Sequence, residues 1–282
     1  MPASSATIST RLFNPDGALV VKTMRFRGVV GGSVNGHYAQ VGNISVYYEV
    51  QGAGEPLMLI HGLSGSGRWW SRNVAALAEH YRVHVVDLAG FGRSRSAPRV
   101  ALEASGDFLT RLMDALEIEQ ASIVGHSMGG LFAASLAADA PARVNRLMLV
   151  NAAVLPLRRT GIALRFGTGQ AATSVSASFL PVVLSDGLRA GPMSLIGAAR
   201  DLLQADARAK LNQIAAPTLV IWGAGDRLLP VQLGEEIRAS IQLARLQVVH
   251  GAGHNPMWDQ PVVFNQAILS FMAERSLVPN VA

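Results

Sequence analysis

The sequence predicts an α/β fold in which a mostly parallel, eight-stranded sheet is flanked by helices. Two observations support this prediction. From Tyr38 onward, short β-branched runs alternate with amphipathic stretches of helical length, which is typical of strands joined by crossover helices. Several of the short runs are apolar throughout, as in residues 57–60, and this is expected for a strand that is covered on both faces.

The sheet is predicted to begin with an antiparallel hairpin at one edge, formed by residues 38–41 and 44–50 around Gly42-Asn43. Six further strands are predicted at 57–60, 82–86, 122–125, 144–150, 217–222 and 246–249. The helices between them are predicted at 69–79, 102–116, 128–138, 232–240 and 262–274. This order gives eight strands with intervening helices.

The regular alternation breaks once, after Asn151, where roughly 60 residues precede the next clear strand. A structureless loop of that length is uncommon in a compact domain. We therefore predict that residues 152–213 form a helical cap inserted over the sheet. Residues 37–151 and 214–282 then form the core of the domain.

Residues 1–36 are interpreted as an N-terminal extension, to which we assign no chemistry. They are not predicted to be a signal peptide, because Lys22, Arg25 and Arg27 interrupt the apolar run. Met24 is an alternative start of translation. Since no stretch approaches the roughly 18 uncharged apolar residues that cross a bilayer, we expect a soluble, cytoplasmic protein without stable membrane insertion.

The charge of the chain is distributed unevenly. The net charge is +5 at pH 7, and residues 152–213 carry seven Lys or Arg against three Asp. No zinc-finger, helix-turn-helix or RRM signature accompanies the basic residues, and aromatic residues do not alternate with them, so we expect no nucleic-acid partner. The basic cap either attracts anionic esters or forms a solvated helix face.

The pentapeptide Gly125-His126-Ser127-Met128-Gly129 lies between a predicted strand and a helix of small residues. This context is typical of a nucleophile elbow, in which serine occupies a tight turn and the flanking glycines let neighbouring chains approach. The turn exposes the hydroxyl above the sheet edge, and the next helix points its N-terminus at the same place. Ser127 is therefore the candidate nucleophile.

A serine nucleophile needs an adjacent base, which a third group holds in the right tautomer. Asp226 and His254 follow the last two predicted strands, so both lie at the same sheet edge as Ser127, and these three are the predicted catalytic residues. His250 is a second candidate base, but it falls at the strand end and is interpreted as structural. The alternative acid position, after the preceding strand, holds Asn151, which cannot ionise.

Two backbone N–H groups are expected to bind a developing oxyanion. Met128 follows the nucleophile at the start of a helix, and Leu63 lies in the glycine-rich loop after strand 57–60. We predict that their N–H groups form the oxyanion hole and that Gly62 shapes the turn.

No cofactor or metal ion is expected. The loop at 87–94 lacks the G-x-G-x-x-G run that cradles a dinucleotide, and the chain contains no G-x-x-x-x-G-K-[ST] motif. It also lacks H-E-x-x-H and other clusters at metal-ligand spacing, and it contains no cysteine.

Five ordered motifs resemble those of the α/β-hydrolase superfamily, in particular its capped, single-domain serine esterase-like branch. The matching stretches are 59–62 with Trp69 downstream, 87–94, 125–130, 222–226 and 253–254, and the resemblance covers about residues 37–275. It implies that Ser127 attacks an acyl carbonyl, that His254 accepts its proton, and that Asp226 orients the imidazole. Water then releases the acid from the acyl-enzyme.

The resemblance leaves the substrate class open between two reactions. Our leading hypothesis is hydrolysis of a small-molecule carboxylic ester with a short to medium acyl chain. The alternative is a carbon–carbon bond hydrolase of vinylogous diketo acids from ring cleavage, whose elbows are similar to Gly-Asn-Ser-Met-Gly-Gly. His126 replaces that Asn and favours esters, whereas Trp258 resembles the carbon–carbon hydrolases. A third hypothesis is a non-catalytic ligand receptor of the same fold.

The cap is expected to select the substrate. Small and aliphatic residues dominate it, which favours an apolar acyl pocket, and its aromatic residues are Phe166 and Phe179. We predict that Phe166, Phe179, Trp258 and Gly62 contact the substrate. A monomer and a homodimer both fit the sequence.

Overall fold

The computed structural model describes residues 5–13, 19–27, 35–156 and 174–274. The chain divides into two compact units, Met1–Val34 and Asn35–Ala282. The first contains an antiparallel pair of strands, β1 (Ser5–Phe13) and β2 (Leu19–Arg27). The sequence analysis treats this stretch only as an extension, although its β-branched residues favour extended backbone.

The second unit is built on an eight-stranded sheet, which confirms the predicted fold class. Its strands are β3 (Asn35–Val41), β4 (Ile44–Gln51), β5 (Pro56–Ile60), β6 (Arg82–Val86), β7 (Ala121–His126), β8 (Val144–Val150), β9 (Thr218–Gly223) and β10 (Ala244–Val249). The spatial order is β10-β9-β8-β7-β5-β6-β4-β3. The strands from β10 to β6 are parallel, while β4 and β3 continue the sheet in antiparallel pairing.

The α-helices of the described residues are α1 (Val74–Ala78), α2 (Ser105–Ala115), α3 (Met128–Asp139), α4 (Leu180–Ala190), α5 (Pro192–Gln204), α6 (Arg208–Leu211), α7 (Val231–Ser240), α8 (Pro256–Asp259) and α9 (Pro261–Ala273). Helices α4, α5 and α6 lie between β8 and β9 along the chain, within the segment predicted as the cap. Residues 152–213 are called the cap; that they cover the sheet, and their boundaries, stay predictions.

The prediction of one helix at 69–79 is wrong. A short 3₁₀ turn at Gly67–Trp70 is followed by a break and then by α1. Asn73 lies at this break, and its fully buried amide donates a hydrogen bond to the Met257 carbonyl oxygen at 3.0 Å. Because this bond anchors the chain to another element, the two turns are held apart and do not merge into one helix.

Two apolar layers cover the two faces of the sheet, and β5 contributes to both. Met58 and Ile60 pack in the layer that contains α2 and α3, whereas Leu57 and Leu59 pack in the layer that contains α1 and α9. Successive side chains of a strand point to opposite faces, so a strand between two helical layers buries both sets of side chains and favours apolar residues at successive positions. This is the physical reason for the apolar run in the sequence.

The described residues include neither a membrane-spanning helix nor a metal-binding cluster. None of their helices is both long and apolar enough to pass through a membrane. No cluster of three or more His, Asp, Glu or Cys side chains among them is arranged to hold a metal ion.

Candidate active site

Ser127 lies on a strained turn between β7 and α3. Its φ of 52° and ψ of −115° are values that residues other than glycine rarely adopt. Gly129 allows the close packing of this turn, because a Cβ there would lie 2.5 Å from the carbonyl oxygens of Ile60 and His61. Gly125 is equally confined against the backbone of Gly129. The strand, turn and helix therefore present Ser127 at the carboxyl end of β7.

The three residues predicted as catalytic form a continuous chain of hydrogen-bonding distances. His254 Nε2 lies 3.1 Å from Ser127 Oγ, and His254 Nδ1 lies 2.8 Å from Asp226 Oδ2. Because the carboxylate can only accept, Nδ1 carries the proton and Nε2 is free to accept the serine hydrogen. All three residues are buried. His250, the second candidate base, is exposed in the turn after β10.

Both oxygens of Asp226 are occupied. Oδ1 accepts the N–H groups of Leu228 and Leu229 at 2.8 and 2.9 Å, and Oδ2 accepts the amide of Asn151 at 2.6 Å in addition to His254. Burial raises the pKa of the Asp226 carboxyl, but the imidazole of His254 and these hydrogen bonds outweigh it and hold the pKa below its usual range. Asp226 is therefore ionised at neutral pH.

Asn151 is a site residue that the sequence analysis missed. It follows β8, is fully buried and has a positive φ of 41°. Its Oδ1 accepts the Gly223 N–H at 3.2 Å, while its Nδ2 donates to Asp226. These two bonds tie the end of β8 to the loop that carries the acid. Its place at the carboxyl edge of the sheet was the available signal, but its lack of charge excluded it only as the acid and says nothing of a hydrogen-bonding role.

His126, which the sequence analysis related only to the choice of substrate, packs against the predicted base. Its Nε2 donates to the backbone carbonyl of His254 at 2.9 Å, and the two ring centroids are 4.9 Å apart. Burial, together with the neighbouring imidazole of His254, lowers the pKa of His126 to about 3. His126 is therefore neutral, and it fixes the loop that carries His254.

The loops of the predicted acid and base meet backbone to backbone. A Cβ on Gly223 would overlap the carbonyl oxygen of Gly253, and Gly225 donates its N–H to the Ala252 carbonyl at 2.9 Å. This contact sets the spacing between the loops that carry Asp226 and His254.

The glycine-rich loop after β5 packs against the elbow. Its first residue, His61, donates from Nδ1 to the Gly62 carbonyl at 2.7 Å and accepts the Leu88 N–H at Nε2. Complete burial lowers the pKa of His61, which keeps it neutral in this bridging role. A Cβ on Gly62 would lie 2.9 Å from His126 Nδ1 and 3.0 Å from the Ser127 Cβ, so Gly62 allows the loop to approach the nucleophile.

The two predicted oxyanion donors belong to the two segments that meet where Gly62 approaches Ser127. Leu63 follows Gly62 in the loop, and Met128 is the first residue of α3. The N–H groups of the first helical turn have no carbonyl partner within the helix, so that of Met128 is available to a ligand. The assignment of Leu63 and Met128 to the oxyanion hole stays a prediction.

Two of the predicted substrate-binding residues form an aromatic contact between the cap and the core. Phe179 is fully buried and stacks on Trp258 with ring centroids 4.4 Å apart. The Arg72 guanidinium lies 4.1 Å from the centre of the Trp258 ring, and Phe179 meets the edge of Trp69. Contact of Phe179 and Trp258 with substrate stays a prediction, and Phe166 lies outside the described residues.

A buried carboxylate of the cap contacts the glycine-rich loop. Asp186 on α4 is fully buried, and its Oδ2 accepts the Ser66 hydroxyl at 2.7 Å and the Trp69 indole N–H at 3.1 Å. Its Oδ1 accepts the Arg68 guanidinium at 3.0 Å. Because all three donors follow Gly62 closely in the chain, Asp186 fixes α4 to the loop beside the candidate nucleophile.

The chain belongs to the family described as the alpha/beta hydrolase fold, which residues 55–180 and 184–261 match. It is 31% identical over 267 residues to the 2-hydroxy-6-oxononadienedioate/2-hydroxy-6-oxononatrienedioate hydrolase of Paraburkholderia xenovorans, over 82% of this chain and 92% of the relative. It is also 31% identical over 262 residues to the putative carbamate hydrolase RutD of Azorhizobium caulinodans. This alignment covers 84% of this chain and 98% of the relative. Among solved structures, the bromoperoxidase of Bacillus anthracis matches with a TM-score of 0.75 at 27% identity, over 85% of this chain and all of that one.

Proposed function

We propose that this chain is a serine hydrolase in which Ser127 is the nucleophile, His254 the general base and Asp226 the group that orients the imidazole. The observation that carries the proposal is the chain of hydrogen-bonding contacts from Ser127 Oγ through His254 to Asp226 Oδ2. His254 takes the hydroxyl proton as Ser127 attacks a carbonyl carbon, and ionised Asp226 stabilises the imidazolium. The N–H groups of Leu63 and Met128 bind the oxyanion.

For the substrate, we favour a carbon–carbon bond in a vinylogous diketo acid over an ester. A relative that aligns over 82% of the chain is named as a hydrolase of 2-hydroxy-6-oxo dienedioates and trienedioates. His126 was one of the sequence features that favoured an ester, beside the apolar cap, but its Nε2 bonds the backbone of His254. A residue that holds the loop of the base does not discriminate between leaving groups, so His126 no longer favours an ester.

The same residues carry out either cleavage, because both begin at a carbonyl. In the keto form of a vinylogous diketo acid, Ser127 adds to the ketone carbon and transfers its proton to His254. The tetrahedral intermediate then breaks the adjacent carbon–carbon bond, and the released electron pair is delocalised towards the keto acid end. The imidazolium of His254 returns the proton to this leaving group. Water, activated by the same imidazole, then releases the acyl group from Ser127.

Cleavage next to a heteroatom, in a carbamate or an ester, is the second candidate. The specific observation is the second relative, a putative carbamate hydrolase, which aligns over 84% of the chain at the same 31% identity. Carbamates and esters place an oxygen or nitrogen leaving group beside the carbonyl, so His254 would protonate a heteroatom in place of carbon.

The substrate class is tested by comparing kcat/KM on a 2-hydroxy-6-oxo dienoate, on p-nitrophenyl acetate and butyrate, and on a simple carbamate. We expect the dienoate to be the best substrate and Ser127→Ala to lower its kcat/KM by at least about a thousandfold. Faster turnover of the ester or the carbamate by the wild type would establish the second candidate. No turnover of any of them by folded protein would contradict the serine hydrolase itself.

A fluorophosphonate probe separates the enzyme from a non-catalytic receptor of the same fold. The probe requires an activated serine, so we expect wild-type protein to be labelled at Ser127 and Ser127→Ala to remain unlabelled. A wild type that unfolds cooperatively but resists the probe would favour the receptor.

A further inference from the structure

The cap carries an exposed apolar surface that the proposed reaction does not use. Leu184 and Leu188 lie one turn apart on α4, and Met193 and Ile196 lie on α5. Leu188 is 84% exposed and Met193 79%, so both side chains are almost fully in solvent. Amphipathic helices of globular proteins normally turn such residues to the core, and a contiguous exposed apolar patch marks a contact site. We call these four residues the cap stripe.

Positive side chains border the cap stripe. Arg189 on α4 and Arg200 on α5 are both exposed. Asp186, the acidic residue of α4, is fully buried, and its Oδ1 lies 3.0 Å from Arg68 and 3.8 Å from Arg189, so it offsets Arg189 only in part. Asp201, the acidic residue of α5, forms an ion pair with Arg99 at 2.9 Å. The cap stripe therefore lies in a surface whose uncompensated charge is positive.

A cavity of about 360 Å³ is lined by arginines, one of which is Arg189 near the C-terminal end of α4. Four guanidinium groups line it, from Arg68, Arg93, Arg95 and Arg189, and Arg189 also borders the cap stripe. Asp87 is the acidic residue of the lining, but its two oxygens already accept the backbone N–H groups of Gly67 and Arg93. Guanidinium groups bind phosphate in a planar, two-pronged geometry.

The charge balance of the cavity remains positive when ion-pair partners are included. Glu49 pairs with Arg93, and Asp186 is shared between Arg68 and Arg189. The three nearby carboxylates, of Glu49, Asp87 and Asp186, therefore offset three of the four arginine charges. Within the described part of the chain, Arg95 has no ion-pair partner. One guanidinium therefore remains for an incoming anion.

We propose that this face of the cap docks on an anionic lipid surface, with the cap stripe in the headgroup layer and a lipid phosphate in the arginine-lined cavity. The neighbouring charges favour lipid over a second copy of the chain, because self-association through this face would bring the positive Arg189 and Arg200 of both copies into one interface. The net charge of +5 also draws the whole chain towards an anionic surface. Apolar side chains flanked by arginine are typical of helices that lie in the membrane interface.

Sedimentation with lipid vesicles tests this proposal. We expect wild-type protein to bind phosphatidylcholine vesicles that contain phosphatidylglycerol, to bind pure phosphatidylcholine much less, and to dissociate as salt is raised. The double variant Leu188→Glu with Met193→Glu should lower the partition coefficient at least about tenfold. Leu243→Glu is the matched control, because Leu243 is 50% exposed outside the cap and its replacement should leave binding unchanged.

The cavity is tested by single charge removals. Arg95→Gln and Arg189→Gln should each weaken binding to the anionic vesicles about fivefold, whereas Arg238→Gln, an exposed arginine on α7, should have a smaller effect. All of these positions are exposed, so the variants are expected to fold.

Four outcomes would overturn the proposal. They are failure of folded wild type to bind anionic vesicles, equal binding by the cap stripe double variant, binding of inorganic phosphate without binding of vesicles, and a dimer that the double variant dissociates while vesicles remain unbound. The last outcome would assign the cap stripe to a second copy. None of these measurements depends on catalytic turnover, so they stand apart from the test of the proposed function.

Discussion

Asn151 and Asp226 hold each other in place at the carboxyl edge of the sheet. The sequence predicted Asp226, like Ser127 and His254, because each is an ionisable or nucleophilic residue directly after a strand within a recognisable motif. Asn151 has no charge, and its partner is 75 residues away in the chain. Its role depends on the pairing of β8 with β9, which brings the Asn151 amide to the Asp226 carboxylate, and the sequence does not show this pairing.

Replacing Asn151 should weaken catalysis through the acid. In Asn151→Ala, Asp226 loses a hydrogen bond that lowers its pKa, so the carboxyl becomes easier to protonate. We expect kcat to fall about tenfold and the acid limb of the profile of kcat/KM against pH to move to higher pH. Steady-state kinetics across that range provide the measurement.

Asn73→Ala is the control for loss of a buried amide. Asn73 bonds Met257 and Asn265 and does not contact Asp226. Its replacement should lower stability without moving the acid limb. An Asn151→Ala enzyme with an unshifted acid limb would show that the amide has only a structural role.

At the scale of elements, short strands were easier to predict than helices. A strand between the two apolar layers is covered on both faces, so it is mostly apolar, and in β5 the whole run from Leu57 to Ile60 shows this in the sequence. The break between Gly67–Trp70 and α1 is not visible in the local sequence, because it depends on the hydrogen bond from the Asn73 amide to the carbonyl oxygen of Met257, which is distant in the chain. The attachment of α4 is equally non-local, since Asp186 lies more than a hundred residues from its donors.

Asp186→Asn should loosen the attachment of α4 to the core. The amide keeps one acceptor oxygen and places an NH2 group where the other oxygen was, so at least one of the donors from Ser66, Trp69 and Arg68 loses its acceptor. We expect the free energy of unfolding to fall by about 2 kcal/mol and proteolysis of the cap to accelerate. Urea denaturation and limited proteolysis measure the two effects.

Asp201→Asn is the matched control, since it removes another Asp–Arg pair of the cap. Asp201 is about half exposed and bonds Arg99 at 2.9 Å, so its loss should change the free energy of unfolding by no more than about 0.5 kcal/mol. Equal effects of the two substitutions would show that burial of Asp186 does not anchor the helix.

Across the whole molecule, burial keeps several histidines uncharged at neutral pH. Burial lowers the pKa of His84 to about 4, with Arg82 adding to the effect, and it also lowers the pKa of His61 and of His126. Each histidine binds a proton more readily in the unfolded chain than in the folded one. The stability that they contribute is therefore present above the unfolded pKa of 6.5 and is lost as pH falls below it. Asp226, whose pKa is lowered, contributes in the same direction at more acidic pH.

We expect the free energy of unfolding to decrease between pH 6.5 and 4, with His84 supplying up to about 1.4 kcal/mol per pH unit. His84 lies outside the candidate active site, and neither ring nitrogen has a hydrogen-bond partner among the described residues. His84→Leu should therefore flatten this dependence. Urea denaturation at several pH values provides the measurement, with the exposed His80→Gln as the control. A variant with the slope of the wild type would contradict the assignment.

The contact between Gly223 and Gly253 has a consequence for protein engineering. The loops that carry Asp226 and His254 touch through bare backbone, and any side chain at 223 would overlap the carbonyl oxygen of Gly253. A substitution at position 223 would therefore also displace the loops that carry Asp226 and His254. A mutant library aimed at new substrates is best directed to the cap, while these two loops are kept as an invariant block.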